Sequence, residues 1–287
     1  MNRRDTLGLL GSSAIGAAAL GTLTGSPDAA AATAAGNLTT LNPASADDLA
    51  LIHRKLAWSM DETVGFWWLK GRRYAAFAPS YTPLWDMLIG TIFIAKDLGS
   101  DGFSLTTITT TFYSDINSGQ LLETFHNPLT GKDLKVPYAT PKASTEKYST
   151  RGIPAERKLP GTTMSRYTEP GPAWIEGNDV WVRSDVAFRA APDDPMKKPF
   201  VVEDLSTYFG SLKDVANPKL KAVPAGQVFS DILNYPAWLE MGDRNGHFFS
   251  RCFGRKVFKQ SEMPQDWQRL MAERYPAIAK DPQAALG

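Results

Sequence analysis

The chain has 287 residues, and its 31 lysines and arginines nearly balance its 30 aspartates and glutamates, for a formal net charge of +1. No long-range field therefore points to nucleic acid or to an anionic lipid surface. The only cysteine, Cys252, excludes an intramolecular disulfide and any cysteine-built zinc or iron–sulfur site. It reads as a small buried hydrophobe, and stability has to come from an apolar core rich in Trp, Tyr and Phe.

The N-terminus pairs Arg3 with Arg4, and a run from Thr6 to Pro27 then carries no charge. Small residues follow, Ala29 to Ala32 and Ala34–Ala35, as a signal peptidase requires. A basic head, a mildly apolar middle and a small-residue cleavage zone predict a twin-arginine signal peptide over residues 1–35. Gly8, Gly11, Gly16, Gly21 and Gly25 weaken the same stretch as a membrane-spanning helix. The expectation is export to the periplasm through the twin-arginine machinery, cleavage, and no stable membrane insertion afterwards. That route accepts folded cargo, which permits a preloaded cofactor without requiring one. About 250 residues remain, 36–287, enough for one large domain.

A short helix is expected after Ser45, with Asp47 and Asp48 in its first turn and Leu49, Ile52, Leu56 and Ala57 on one face. The period then changes to two. Thr63–Leu69, stopped by Lys70–Gly71, precedes Tyr74–Ala78, the apolar run Met87–Ala95 and the Thr-rich strand Phe103–Tyr113. Turns at Asn117–Gly119 and Asn127–Gly131 bracket Leu121–His126 and lead into Leu134–Tyr138. A polar connection spans Ala139–Pro160. Strands resume at Thr162–Thr168, Ala173–Glu176 and Val180–Arg189, the last two forming a hairpin about Glu176–Asp179. A Pro/Asp/Lys-rich loop covers Ala191–Pro199. Phe200–Phe209 is ambiguous between strand and helix. Val228–Leu233 and His247–Phe258 read as strands, and Gln265–Tyr275 as a helix burying Trp267, Leu270 and Met271. Such runs joined by Asn, Gly and Pro turns describe an antiparallel meander. The predicted fold is mainly β, a lipocalin-like (calycin-type) barrel with short flanking helices, because open edges invite aggregation. A barrel of about eight to ten strands leaves room for one small ligand.

Two patches carry a family resemblance. One is Tyr113-Ser114-Asp115 with Gly119, Leu122 and His126-Asn127-Pro128-Leu129-Thr130-Gly131, then Val136. The other runs from Tyr235-Pro236-Ala237-Trp238 through Glu240-Met241-Gly242-Asp243-Arg244-Asn245-Gly246 to Gly254 and Lys256. In this order they resemble the domain of unknown function 1838 family of bacteria, often with twin-arginine signals, and fungi. The resemblance covers about Ala46 to Pro282. It implies the fold and export and names no reaction. Where the family has an Asn/Asp-Pro stretch after the Val136 strand, this chain has Ala139-Thr140-Pro141-Lys142.

Among three histidines, His53 reads as a surface or packing residue of the first helix. His126 and His247 end and open strands beside turns, where a barrel displays functional groups. A neutral imidazole there suits a general base. Glu123 shares a strand face with Leu121 and Phe125 and is expected to point into a cavity, or else to pair with a neighbouring strand. Tyr113 is the expected hydrogen-bond donor. These four are the candidate catalytic groups. Trp68, Trp85 and Trp238, with Asp243 and Arg244 of the Met-Gly-Asp-Arg turn, are the candidate substrate-binding groups. Asp115 reads as a turn cap, and Arg183 with Asp185 as a buried pair. No histidine spacing suits a metal, and neither a phosphate-cradling glycine loop nor a nucleophile elbow is present, so the expectation is no metal and no cofactor.

Two readings stay open. The first is a cofactor-free enzyme of isomerase, lyase or hydrolase type. It would act by proton transfer on a small apolar or aromatic molecule, with His126 or Glu123 as base and Tyr113 or His247 polarising a developing oxyanion. The second is a non-catalytic periplasmic carrier of such a molecule.

Overall fold

The computed structural model describes residues 41–77, 79–155, 161–194 and 199–287. The expected signal peptide lies outside them. Helix α1, Ala46–Ala57, starts as anticipated, with Ser45 Oγ accepting from the Asp48 N–H at 3.4 Å. Its far end is tied down by two side chains from the sheet. Lys256 Nζ donates to the carbonyls of Lys55 (2.6 Å) and Trp58 (2.7 Å), and Trp67 Nε1 donates to that of Ala57 (2.8 Å). A donor-rich side chain suits the end of a helix where carbonyls lack partners.

Among the described residues eleven strands follow: β1 Gly65–Phe77, β2 Ser80–Asp97, β3 Phe103–Ser114, β4 Thr124–Asn127, β5 Lys132–Lys135, β6 Ser144–Tyr148, β7 Thr162–Glu176, β8 Asp179–Pro192, β9 Phe200–Ser211, β10 Ala225–Leu233 and β11 His247–Val257. Nine form one sheet in the order β6-β3-β2-β1-β11-β10-β9-β8-β7, while β4 and β5 make a separate ribbon. Every pairing is antiparallel. The mainly-β expectation holds, and the sheet curls into a half-barrel whose two edge strands are β6 and β7.

Several boundaries differ from the sequence reading for identifiable reasons. Lys70–Gly71 is not a stop, because Gly71 sits mid-strand where a Cβ would lie 2.1 Å from the Arg251 carbonyl oxygen. The glycine marks a close approach of β1 to β11. Thr162–Thr168 and Ala173–Glu176 are one strand, interrupted by a register shift between Pro170 and Ala173. The connection after Ala139 contains β6, whose polar sequence conceals it, and Phe200–Phe209 is a strand.

The sheet has two apolar layers. Inside the curl, α1 contributes Ile52 and Leu56 to a core with Trp67, Leu69, Phe93 and Phe229. Outside it, C-terminal helices α3 (Gln265–Arg274), α4 (Pro276–Lys280) and α5 (Pro282–Leu286) cover Phe66, Leu88, Ile92, Ile108 and Phe112. The Trp267 ring occupies the space a Cβ at Gly90 would need, and its Nε1 donates to Thr110 Oγ1 at 3.0 Å. A short helix α2, Leu212–Ala216, follows β9, and its Val215 carbonyl accepts from Lys55 Nζ at 2.8 Å. Among the described residues no helix is long and apolar enough to cross a membrane.

Candidate functional site

The inside of the curl is not a greasy hollow. Its aromatic end is filled: the Trp85 ring packs at 4.8 Å from Phe125, 5.4 Å from Tyr113 and 5.6 Å from both Trp238 and Phe248. The open space lies at the other end, and it is polar. A cavity of about 70 Å³ is bounded by His53 of α1, Trp58, Glu146 and Tyr148 of β6, Arg166 and Thr168 of β7, Ser184 of β8, and Asp204, Ser206 and Tyr208 of β9. At roughly 10–15 Å³ per water it holds a few waters or a small polar group.

Strand parity brings these side chains together. On β9, Asp204, Ser206 and Tyr208 are buried, whereas Leu205 between them is exposed. Asp204 pairs in register with Asp231 of β10, so two aspartates stand opposite each other inside the half-barrel. Both are 3 % exposed. Asp231 Oδ1 accepts from Arg73 Nη1 at 2.7 Å and from Ser250 Oγ at 2.6 Å. Neither oxygen of Asp204 has a hydrogen-bond partner.

Two further polar atoms bordering the same cavity are unpartnered, Nε2 of His53 and Oγ1 of Thr168. Buried polar groups are normally bonded, and each exception calls for a reason. Here three exceptions share one cavity. Burial, followed by the neighbouring Asp231 charge, pushes the Asp204 carboxyl well above the usual carboxylate range, against the pull of Arg73 and Arg166. Burial and then the Lys256 charge lower His53 to about 4. The arrangement favours a protonated acid and a neutral imidazole at neutral pH, which is the division of labour that proton transfer needs.

At the sheet edges, Arg166 Nη1 donates to Glu146 Oε1 at 2.5 Å and the Tyr148 hydroxyl to Glu146 Oε2 at 2.8 Å. The Arg166–Glu146 pair joins β7 to β6 across the seam, and all three side chains border the cavity from that side. A shallower depression of about 250 Å³ lies between Asp61, Thr63, Lys219, Lys221 and Phe258. Asp61 there already accepts from Ser59 Oγ and the Thr63 N–H.

The side chains singled out in the sequence fall into three groups. Tyr113, Trp85 and Trp238 are brought together in the aromatic end, and burial raises the Tyr113 hydroxyl. Trp68 stands on the other face of the sheet, against the layer containing Trp267. The remainder lie outside. The His126 side chain is 66 % exposed, with Nδ1 2.8 Å from Asp133 Oδ1. Glu123 precedes β4 instead of facing inward, and it pairs with Arg274 at the surface. His247, Asp243 and Arg244 are exposed at the turn before β11. Arg183 and Asp185 pair at 2.8 Å on β8, partly open to solvent.

None of the cavity residues is singled out as catalytic in the sequence, and His53, expected as a surface or packing residue, borders the cavity. The available signal was parity. Asp204 shares the buried parity of β9 with Ser206 and Tyr208, and Asp231 that of β10 with Gln227 and Phe229.

A comparison with curated proteins returns no match. Among solved structures, a DUF1329 family protein from Desulfovibrio piger is similar at 9 % identity, with 81 % of this chain and 97 % of that one covered and a TM-score of 0.20. The family model described as "Protein of unknown function (DUF1838)" matches residues 64–287, and the chain belongs to that family.

Proposed function

We propose that the half-barrel is the body of a proton-transfer enzyme acting on a small molecule. In this reading Asp204 is the proton donor and the neutral imidazole of His53 the acceptor. One observation carries it: a buried carboxyl with both oxygens unbonded faces a cavity that also holds an unbonded imidazole nitrogen. Retaining such groups without partners costs stability, of order 1–3 kcal/mol each, and a substrate that bonds to them accounts for the cost. Isomerisation or elimination needs only this pair of groups and no redox partner. The chain also starts with the features of a twin-arginine signal, and we place the activity in the periplasm.

Passive carriage of an apolar molecule has less support. The aromatic rings that would line a hollow pack on one another, and the space that remains is bordered by hydroxyls and charges. The test is solvent-deuterium incorporation, or turnover, across a panel of small carbonyl and imine compounds. Asp204→Asn and His53→Ala are each expected to lower the rate by about 10²-fold or more. A rate unchanged in both variants would remove these residues from any chemistry.

A further inference from the structure

The carboxyls around the cavity outnumber the cations beside them, and the excess one keeps its proton. Asp204, Asp231 and Glu146 are three carboxyls, and the guanidinium groups beside them, Arg73 and Arg166, are two. Arg73 is committed to Asp231 and Arg166 to Glu146, at 2.7 and 2.5 Å. Lys256 does not supply the missing cation, since its ammonium is spent on the carbonyls of Lys55 and Trp58 at the end of α1. His53 is held neutral by its burial. One carboxyl is left over, Asp204, and it is the one without a hydrogen bond.

We propose that the cavity takes its ligand through a basic nitrogen, an amine or imine that sits as a cation against Asp204. The claim rests on the proton-transfer reading for the location of the site and adds the class of ligand. A neutral amine entering the cavity accepts the Asp204 proton. The carboxyl O–H bond breaks, an N–H bond forms, and an ammonium–carboxylate pair remains, with no co-reactant. A ligand that arrives already protonated displaces the Asp204 proton to solvent instead. Trp58, Tyr148 and Tyr208 also line the cavity, and aromatic rings are favourable neighbours for a cation. A carboxylate ligand would add a further negative charge where both arginines are already engaged. A wholly apolar ligand would leave Asp204, Thr168 and His53 unbonded.

The experiment is isothermal titration of the purified full chain with ethylammonium chloride. Ethanol and sodium propionate serve as neutral and anionic counterparts at matched ionic strength. Each titration is repeated in two buffers of different ionisation enthalpy. The expected result is ethylammonium binding with release of about one proton per ligand, no binding of the other two, and affinity at least about tenfold weaker in Asp204→Asn. The proposal is overturned if ethylammonium gives no heat, if propionate or ethanol binds as well, or if no proton is released. It is equally overturned if a folded Asp204→Asn keeps its affinity. Because the wild-type proton count needs no variant, a variant that fails to fold leaves the test intact. Neither turnover nor His53 enters the measurement. Loss of the enzyme reading with retention of ethylammonium binding would therefore show as a separate result.

Discussion

Asp204 and Asp231 face each other across β9 and β10 at equal burial, and only Asp231 is bonded, through Arg73 and Ser250. Like charges this close cannot both ionise cheaply. The proton therefore stays on the partner that lacks hydrogen bonds. A carboxyl raised in the folded state contributes stability that is full below the ordinary aspartate value near 3.9 and is lost as pH rises through the folded value. Raising the pH from below about 3.9 should therefore lower the Tm of the wild type more than it lowers that of Asp204→Asn. The loss is about 1.4 kcal/mol for each unit separating the folded and unfolded values. Parallel Tm curves for the two proteins from acid to alkaline pH would contradict this.

His53 has the opposite sign. Its folded value of about 4 lies below the ordinary histidine value of 6.5, so the stability it contributes is present above 6.5 and is lost as pH falls towards 4. The full loss amounts to about 3 kcal/mol. Replacing it with a residue that does not titrate, as in His53→Gln, should flatten urea-derived stability across that window. The comparison is read as the difference between the two proteins at the upper and lower ends of the window.

The Arg73–Asp231 pair is buried, with side-chain exposures of 12 % and 4 %. Asp231→Ala strands the guanidinium inside the half-barrel and should cost about 3–5 kcal/mol. Pairing it with Arg73→Met removes the stranded charge and should recover much of that loss. Chemical denaturation of the two single variants and the double variant checks the coupling, and additive losses would show that the pair acts independently.

The surface residues near the strand ends should behave differently. His126→Ala removes, and Glu123→Gln neutralises, side chains that are 66 % and 62 % exposed. Each should change stability by no more than about 0.5 kcal/mol, and neither should alter ethylammonium binding. Denaturant midpoints and the same calorimetry decide it.

Much of the architecture was legible because it follows local rules. The Ser45 cap with Asp47 and Asp48, the Thr-rich β3 and the Glu176–Asp179 hairpin each announce themselves within a few residues. The site was much less legible. Turns collect histidines and carboxylates for reasons of backbone chemistry, which drew attention to His126, Glu123 and His247 at the surface. The inward groups are spread from His53 to Ser250, and only the sheet order brings Arg73, Asp204 and Asp231 together. The alternation in Phe200–Ser211 was itself the clue, since a polar residue on the buried parity of a strand has to be explained. Closure was a matter of side chains. Arg166 and Glu146 bridge edge strands that the turn pattern alone led one to join by backbone pairing.

The most direct measurement is the carboxyl-carbon NMR titration of the aspartates, with Asp204→Asn to assign the signal. A lone buried acid beside Asp231 should remain protonated at pH values well above the ordinary midpoint near 3.9, as one resonance absent from the variant. If every aspartate ionises around that ordinary midpoint, Asp204 carries an ordinary negative charge, and the interior holds no poised proton for a ligand to take.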